Sequence, residues 1–304
     1  MEKENNIAHK SGFVNIIGNP NVGKSTLVNI LVGERMAIIS AKPQTTRHRM
    51  IGIVSGENHQ IVFSDTPGII KEPHYAMQNN MNSYVFNSFE DADVVLFMTD
   101  MIEKYEEDHA LIEHLAKTDK PLFLIINKTD LAQKEQILER IQWWHERLPN
   151  ITETIPISAL NEKNTEIIVD LIVKHLPEGP AYYPKDQLTD RSQRFFCNEI
   201  IREKILLLYK QEIPYSAEVV THTFKTGRTK KKEPIVKILT YIFVMRDTQK
   251  SILIGKNGSM LKKLGEQSRL DIEKFLGKKV YLELTIKVRD NWRNDEKTLK
   301  RFGY

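Results

Sequence analysis

Gly12-Phe-Val-Asn-Ile-Ile-Gly-Asn-Pro-Asn-Val-Gly-Lys-Ser-Thr-Leu-Val-Asn-Ile-Leu31 decides the fold of this chain. A short β-branched apolar run, Gly12 to Ile17, passes into a glycine-bearing loop. The loop then opens an amphipathic stretch from Thr26 to Leu31. The spacing Gly18-x-x-x-x-Gly23-Lys24-Ser25 in this strand–loop–helix context is that of a phosphate-binding loop. Its glycines let the backbone wrap a phosphate, while successive N–H groups and the helix N-terminus supply partial positive charge. Lys24 would reach the β- and γ-phosphates, and Ser25 would offer its hydroxyl oxygen to Mg²⁺.

Further apolar runs follow at Gln60–Ser64, Asp93–Met98, Pro121–Ile126 and Thr154–Ile157, separated by longer amphipathic stretches. That alternation predicts an α/β domain with a mostly parallel sheet and helices on both sides, binding its ligand beyond the carboxyl ends of the strands. The polar signals fall at those ends. Asp65-Thr66-Pro67-Gly68 closes one strand, so that Asp65 can hold Mg²⁺ through water and the Gly68 amide can meet a γ-phosphate. Asn127-Lys128-Thr129-Asp130 closes the most hydrophobic strand, where a carboxylate can accept two hydrogen bonds from the N1 and N2 edge of guanine. Adenine has no matching pair of donors, so Asp130 selects GTP over ATP. Ser158-Ala159 follows another strand and could present backbone to the base oxygen.

Three motifs in this order resemble translation-factor-like G proteins, over the first 180 residues. The resemblance implies binding of GTP or GDP with Mg²⁺ through Gly18, Asn19, Pro20, Asn21, Val22, Gly23, Lys24, Ser25, Thr26, Asp65, Thr66, Pro67, Gly68, Ile69, Asn127, Lys128, Thr129, Asp130, Ser158 and Ala159. It makes Ala41–His48 the first switch loop, with Thr46, or else Thr45, joining Ser25 and Asp65 at the metal. Lys24, Thr46, Gly68 and Asn21 are the implied catalytic set. Ile69 departs from the Ras-like pattern, which has a water-orienting glutamine there, so unassisted hydrolysis should be slow. Asn21 stands where some related hydrophobic-substituted GTPases coordinate K⁺, which suggests a potassium ligand.

A chain of 304 residues is comfortably two domains. Leu176-Pro-Glu-Gly-Pro-Ala-Tyr-Tyr-Pro184, with three prolines and a glycine, cannot continue a helix and reads as a linker. Charge divides there. Residues 1–180 hold 17 basic and 25 acidic side chains, a net −8, whereas residues 181–304 hold 27 and 15, a net +12. The second part is therefore suited to a polyanion. The expected boundaries are a GTPase domain over 1–180, a linker over 181–193 and an RNA-binding domain over 194–304. Cys197 is the only cysteine, so no intramolecular disulfide is possible and a reducing cytoplasm is expected. The sequence lacks an apolar stretch long enough to span a bilayer.

In the basic part, a helix near Ser192–Gln211, strands around Ser216–Lys225 and Val236–Arg246, two short helices and a strand near Lys279–Val288 give an α-β-β-α-α-β order. Between the two short helices, Ile254-Gly255-Lys256-Asn257-Gly258 contains a Gly-x-x-Gly turn. This looks like a KH domain, of type II by that order, whose turn presses backbone onto single-stranded RNA beside a groove reading about four bases. Lys256 adds a cation and Lys262 is a further candidate contact. The run Lys225–Lys232 is either a solvated hairpin loop or a phosphate contact.

A GTPase joined to a KH module resembles the bacterial Era family across nearly the whole chain. Gln44-Thr-Thr-Arg-His48, Asp190-Arg-Ser-Gln-Arg-Phe195, Glu199-Ile-Ile-Arg-Glu-Lys204 and Ile213-Pro-Tyr-Ser216 carry the detail. The resemblance implies a monomeric, GTP-gated switch that binds the 3′ end of 16S ribosomal RNA and assists assembly of the 30S subunit. It further implies a cytoplasmic protein with peripheral association at the inner membrane.

Overall fold

The side-chain alternation of the apolar runs determines how the first sheet is covered. The computed structural model describes residues 8–40, 42, 44–104, 110–229 and 232–304. These form two compact units. One is drawn from residues up to Ala37, Thr46–Lys71 and Met81–Asp190, the other from Ile38–Thr45, Glu72–Asn80 and Arg191–Tyr304.

The first unit contains β1 (Lys10–Ile17), α1 (Lys24–Val32), β2 (Met50–Ser55), β3 (His59–Asp65), most of α2 (Ala76–Glu90), β4 (Val94–Asp100), α3 (Ala110–Ala116), β5 (Leu122–Asn127), α4 (Lys134–Arg147), β6 (Ile151–Pro156) and α5 (Glu166–His175). Its six-stranded sheet runs β2-β3-β1-β4-β5-β6, parallel except for the β2–β3 pair. Central strands covered on both faces must be apolar on both, and β4 and β5 are fully buried. On one face Val94, Leu96, Phe123 and Ile125 pack with Leu27 and Val28 of α1 and Ile168 and Ile172 of α5. On the other, Val95, Phe97, Leu122 and Leu124 meet Val85 and Phe89 of α2, Leu115 of α3 and Trp144 of α4. This two-sided cover fixes the strand ends, where the polar motifs lie.

β2 is absent from the sequence expectation. Gly52 sits in its middle, where a Cβ would lie 2.7 Å from Val32 Cγ2, and this closely packed glycine interrupts the β-branched run of Ile51, Ile53 and Val54.

The second unit contains α6 (Gln193–Leu208), α7 (Ile213–Ser216), β7 (Glu218–Arg228), β8 (Pro234–Val244), α8 (Asp247–Ile254), α9 (Ser259–Leu276), β9 (Lys279–Val288) and α10 (Glu296–Phe302). The sheet order is β7-β8-β9, with β7–β8 antiparallel and β8–β9 parallel. Ser192 caps α6, its side chain accepting from the Phe195 amide at 3.4 Å. Cys197, Ile201 and Ile205 of α6 share a core with Val219, Ile238, Ile242, Ile272 and Ile286. Burial pushes the Cys197 thiol up to about 12 and the Tyr209 phenol likewise to about 12. The Tyr209 hydroxyl donates to the Leu253 carbonyl at 2.8 Å. Arg202 is buried. Its Nε lies 2.8 Å from Glu199 Oε1, and its guanidinium also donates to the Thr45 carbonyl. The α-β-β-α-α-β order holds, with three differences. α9 is 18 residues long rather than short, and the short α7 and α10 were not expected. α7 escapes notice because its four residues make barely one turn, too short to show a helical period. Among the described residues, no helix is long and apolar enough to cross a membrane.

Candidate nucleotide site and KH turn

The phosphate-binding loop leaves β1 at Gly18 and enters α1 at Lys24. A Cβ on Gly18 would lie 2.1 Å from the Met98 carbonyl oxygen, so only glycine lets the loop pass the end of β4. Lys24 is 6% exposed, and its ammonium donates to the Gly18 and Asn19 carbonyls, each at 2.9 Å. Burial lowers it to about 8, partly offset by the Asp65 carboxylate. Pro20 packs against Gly68, where a Cβ would come within 2.7 Å of the Pro20 nitrogen. Asn21 is exposed, with φ 68°. Val22 is buried, and Thr26 lies in the first turn of α1.

Three oxygen-bearing side chains from separate segments meet beside this loop. Ser25 Oγ lies 2.9 Å from Thr46 Oγ1 and 3.0 Å from Asp65 Oδ2, and Thr46 Oγ1 is 3.4 Å from the same carboxylate oxygen. Thr45 is turned elsewhere, its hydroxyl donating to the Lys42 carbonyl at 2.6 Å. Asp65 is fully buried, and its Oδ1 has no hydrogen-bond partner among the described residues. Burial pushes its carboxyl up to about 6, with Lys24 and the Ser25 and Thr46 hydroxyls opposing the shift. An orphaned carboxylate oxygen beside two hydroxyls fits a hard cation that takes one carboxylate and completes its shell with phosphate oxygens and water. Thr66 Oγ1 donates to the Ile16 carbonyl at 2.9 Å, anchoring the Asp65–Gly68 turn to β1. Ile69 is 8% exposed and packs in the core with Ile17 and Val85, so it presents no polar group to the site.

The residues expected to read the base gather at the ends of β5 and β6. Asn127 Nδ2 donates to the Val22 carbonyl at 2.8 Å, and its Oδ1 accepts from the Ala159 amide at 2.9 Å. Lys128 adopts φ 61° and pairs with Asp100 at 2.5 Å. Thr129 Oγ1 donates to the Ile157 carbonyl at 2.8 Å. Asp130 is exposed, one of its oxygens accepting from Ser158 Oγ at 2.5 Å, which aims the carboxylate. Asp100 was not singled out from sequence. Its signal was an acidic residue at the carboxyl end of β4, the same kind of position that marked Asp65.

In the second unit, Ile254 ends α8 and Gly255 takes φ 71°, where a Cβ would also meet Met260 Cγ at 2.7 Å. Lys256 and Asn257 are exposed at the tip, and Gly258 leads into α9. A groove of about 430 Å³ runs from Gly258 along Leu261, Lys262, Gly265, Glu266 and Arg269 to Leu282 and Leu284 of β9. The two leucines were missed in the sequence, although β9 alternates and they fall on one of its faces. Lys230 and Lys231 of the basic hairpin run lie outside the described residues.

The buried Asp65 charge has a measurable consequence. A carboxyl whose folded pKa is raised contributes stability that is present below its ordinary value of 3.8 and lost as pH rises from there through the folded value, here about 6. In protein stripped of nucleotide and metal, Asp65→Asn should therefore stabilise the first unit at pH 7.5, by on the order of 2 kcal/mol, and much less at about pH 4. Urea midpoints of both proteins at the two pH values check this. Equal shifts at both would contradict it.

Comparison with known proteins agrees with this geometry. The family profile described as 50S ribosome-binding GTPase matches residues 13–128, and a KH domain profile matches residues 212–293. GTPase Era of Syntrophus aciditrophicus is 44% identical over 299 residues, covering 98% of this chain and 96% of the relative. The chloroplastic GTPase ERA-like protein of Oryza sativa subsp. japonica is also 44% identical over 299 residues, covering 97% of this chain and 70% of the relative. A crystal structure of Era in complex with MgGDPNP and nucleotides 1506–1542 of 16S ribosomal RNA superposes with a TM-score of 0.91 at 38% identity, covering 97% of this chain and 99% of that one. On this near full-length identity, spanning both the nucleotide site and the KH turn, the chain belongs to the Era family of GTPases.

Proposed function

We propose that this GTPase is a switch that binds the 3′-end region of 16S ribosomal RNA and assists assembly of the 30S subunit. The observation that carries the reading is the meeting of Ser25, Thr46 and Asp65 beside the phosphate-binding loop, in a chain that also bears a Gly-x-x-Gly turn and its groove. Ser25, Thr46 and Asp65 would hold Mg²⁺, which when bound neutralises charge on the phosphates. Lys24 would exchange its two carbonyl partners for β- and γ-phosphate oxygens, and the Gly68 amide would meet the γ-phosphate. Asp130, aimed by Ser158, would read guanine. With the Ile69 side chain in the core, that position supplies no glutamine to orient water, so hydrolysis rests on electrostatic stabilisation, a bound cation or a partner's residue and is slow alone. Gly255, Lys256, Asn257 and Gly258 would take RNA backbone, and Ile254 and Lys262 would flank the bases. In this reading the protein is a monomer, cytoplasmic and peripherally associated with the membrane. The two activities are divided between a GTPase domain over 1–180 and a KH domain over 194–304.

Reciprocity of coupling makes the RNA reading testable. The RNA spanning nucleotides 1506–1542 should bind at least about 5-fold more tightly in the GTP-analogue state than with GDP, and a shuffled RNA of equal length should bind more weakly in both. Equal affinities across nucleotide states and RNA sequences would refute it.

Asn21, exposed in the phosphate-binding loop, is proposed as a ligand for K⁺ near the phosphates. Turnover should rise in KCl over NaCl and lose that difference in Asn21→Ala. Identical rates in the two salts would remove the proposal.

A further inference from the structure

β9 is an edge strand of the second sheet, and its alternation gives it two working faces. Leu282 and Leu284 line the groove beside α9, whereas Tyr281, Glu283, Thr285 and Lys287 point to the opposite side. The strand register extends that outer face. Tyr281 pairs with Lys237, and Lys237 with Lys225, so two cations and a ring line up across all three strands. With strands about 4.8 Å apart, the row is roughly 10 Å long. Lys225, Lys237, Lys279 and Lys287 are all exposed, as is Tyr281 at 51%. His222 stacks on Tyr241 with ring centroids 5.4 Å apart, and the Lys287 ammonium sits 3.4 Å from the Tyr241 ring centroid. The acidic groups on this face are Glu283, to which the Tyr281 hydroxyl donates at 3.3 Å, and the buried Glu218, which accepts from Tyr304 at 2.7 Å. Helix α10 covers only the Phe243 end, through Phe302 at 5.1 Å.

We propose that this outer sheet face is a second RNA-contact surface, taking the strand that continues past the edge of β9 from the groove. The inference rests on the RNA-binding reading above. One KH groove accommodates about four bases, far fewer than an RNA spanning nucleotides 1506–1542, so most of such an RNA must lie elsewhere. The exposed Tyr281 and His222 rings among these lysines provide both components of sequence-tolerant RNA binding, stacking platforms and phosphate neutralisation. A lipid surface would call for bulky apolar side chains free to insert. Here Ile235 and Leu239 are half-buried, Ile235 paired with Gly227 and Lys279 and Leu239 with Thr223 and Glu283.

The triple variant Lys225→Ala, Lys237→Ala, Lys279→Ala removes only exposed cations outside the nucleotide site and should keep basal GTP hydrolysis. Full-length wild-type and variant protein are titrated with the RNA spanning nucleotides 1506–1542 and with a single-stranded RNA of roughly six nucleotides, sized for the groove. The expected result is at least a ~10-fold weaker affinity of the variant for the long RNA, a salt dependence shallower by about 2 in the log–log slope, and unchanged affinity for the short RNA. Unchanged affinity for both RNAs, or equal weakening of both, overturns the proposal. Intact long-RNA binding with lost binding to phosphatidylglycerol vesicles also overturns it, and marks the face as a lipid surface. A shuffled RNA of the long length separates this from failure of the ribosomal reading. If wild type does not distinguish it from the ribosomal sequence, the ribosomal reading falls, while the long-against-short comparison made with it still tests the face.

Discussion

The nucleotide site depends on one side-chain amide. Asn127, 4% exposed at the end of the most apolar strand, donates to the Val22 carbonyl in the phosphate-binding loop and accepts from the Ala159 amide in the base-side loop. Three segments far apart in sequence are joined through the two ends of a group that cannot move without leaving buried partners unsatisfied, at about 1–3 kcal/mol each. The amide also dictates its neighbour. A Cβ on Gly23 would lie 2.3 Å from Asn127 Nδ2, so this contact by itself requires the glycine before Lys24.

Around that junction the site holds charge in an apolar setting. Lys24 is lowered to about 8 and Asp65 raised to about 6, both chiefly by burial. Each group is supported only in part, Lys24 by two carbonyls and Asp65 by two hydroxyls. Phosphate and a cation are the ligands that would satisfy both at once, so the electrostatic discomfort of the site and its specificity have one origin. The second unit works differently. The lysines of its outer sheet face are exposed, and its geometry comes from an edge strand that offers leucines to one side and lysines and tyrosine to the other.

Much of this was legible in the sequence because the signals are local. Gly18 to Ser25, Asp65 to Gly68 and Asn127 to Asp130 each sit at the end of an apolar run, and a parallel sheet brings such ends together. Gly255 to Gly258 read correctly as a turn between helices. What escaped needed partners distant in the chain. β2 owes its place to antiparallel pairing with β3 and, on its other edge, to a bond from the Ile53 amide to the Leu188 carbonyl at 2.8 Å. Thr45 and Thr46 are equivalent as letters, and only the Lys42 carbonyl and the Ser25 hydroxyl distinguish them. The Asp100–Lys128 pair and the row from Lys225 through Lys237 to Tyr281 likewise exist only in register.

The central claim, that Asn127 makes phosphate and base recognition a single structure, is tested by calorimetric titration of GDP and of inorganic pyrophosphate, each with Mg²⁺, into wild type, Asp130→Ala and Asn127→Ala. Asp130→Ala should weaken GDP by ~100-fold and leave pyrophosphate unchanged, because only a charged contact to the base is lost. Asn127→Ala should weaken both ligands. An Asn127→Ala protein that binds pyrophosphate like wild type would show that the phosphate loop holds its shape unaided, and would contradict the account.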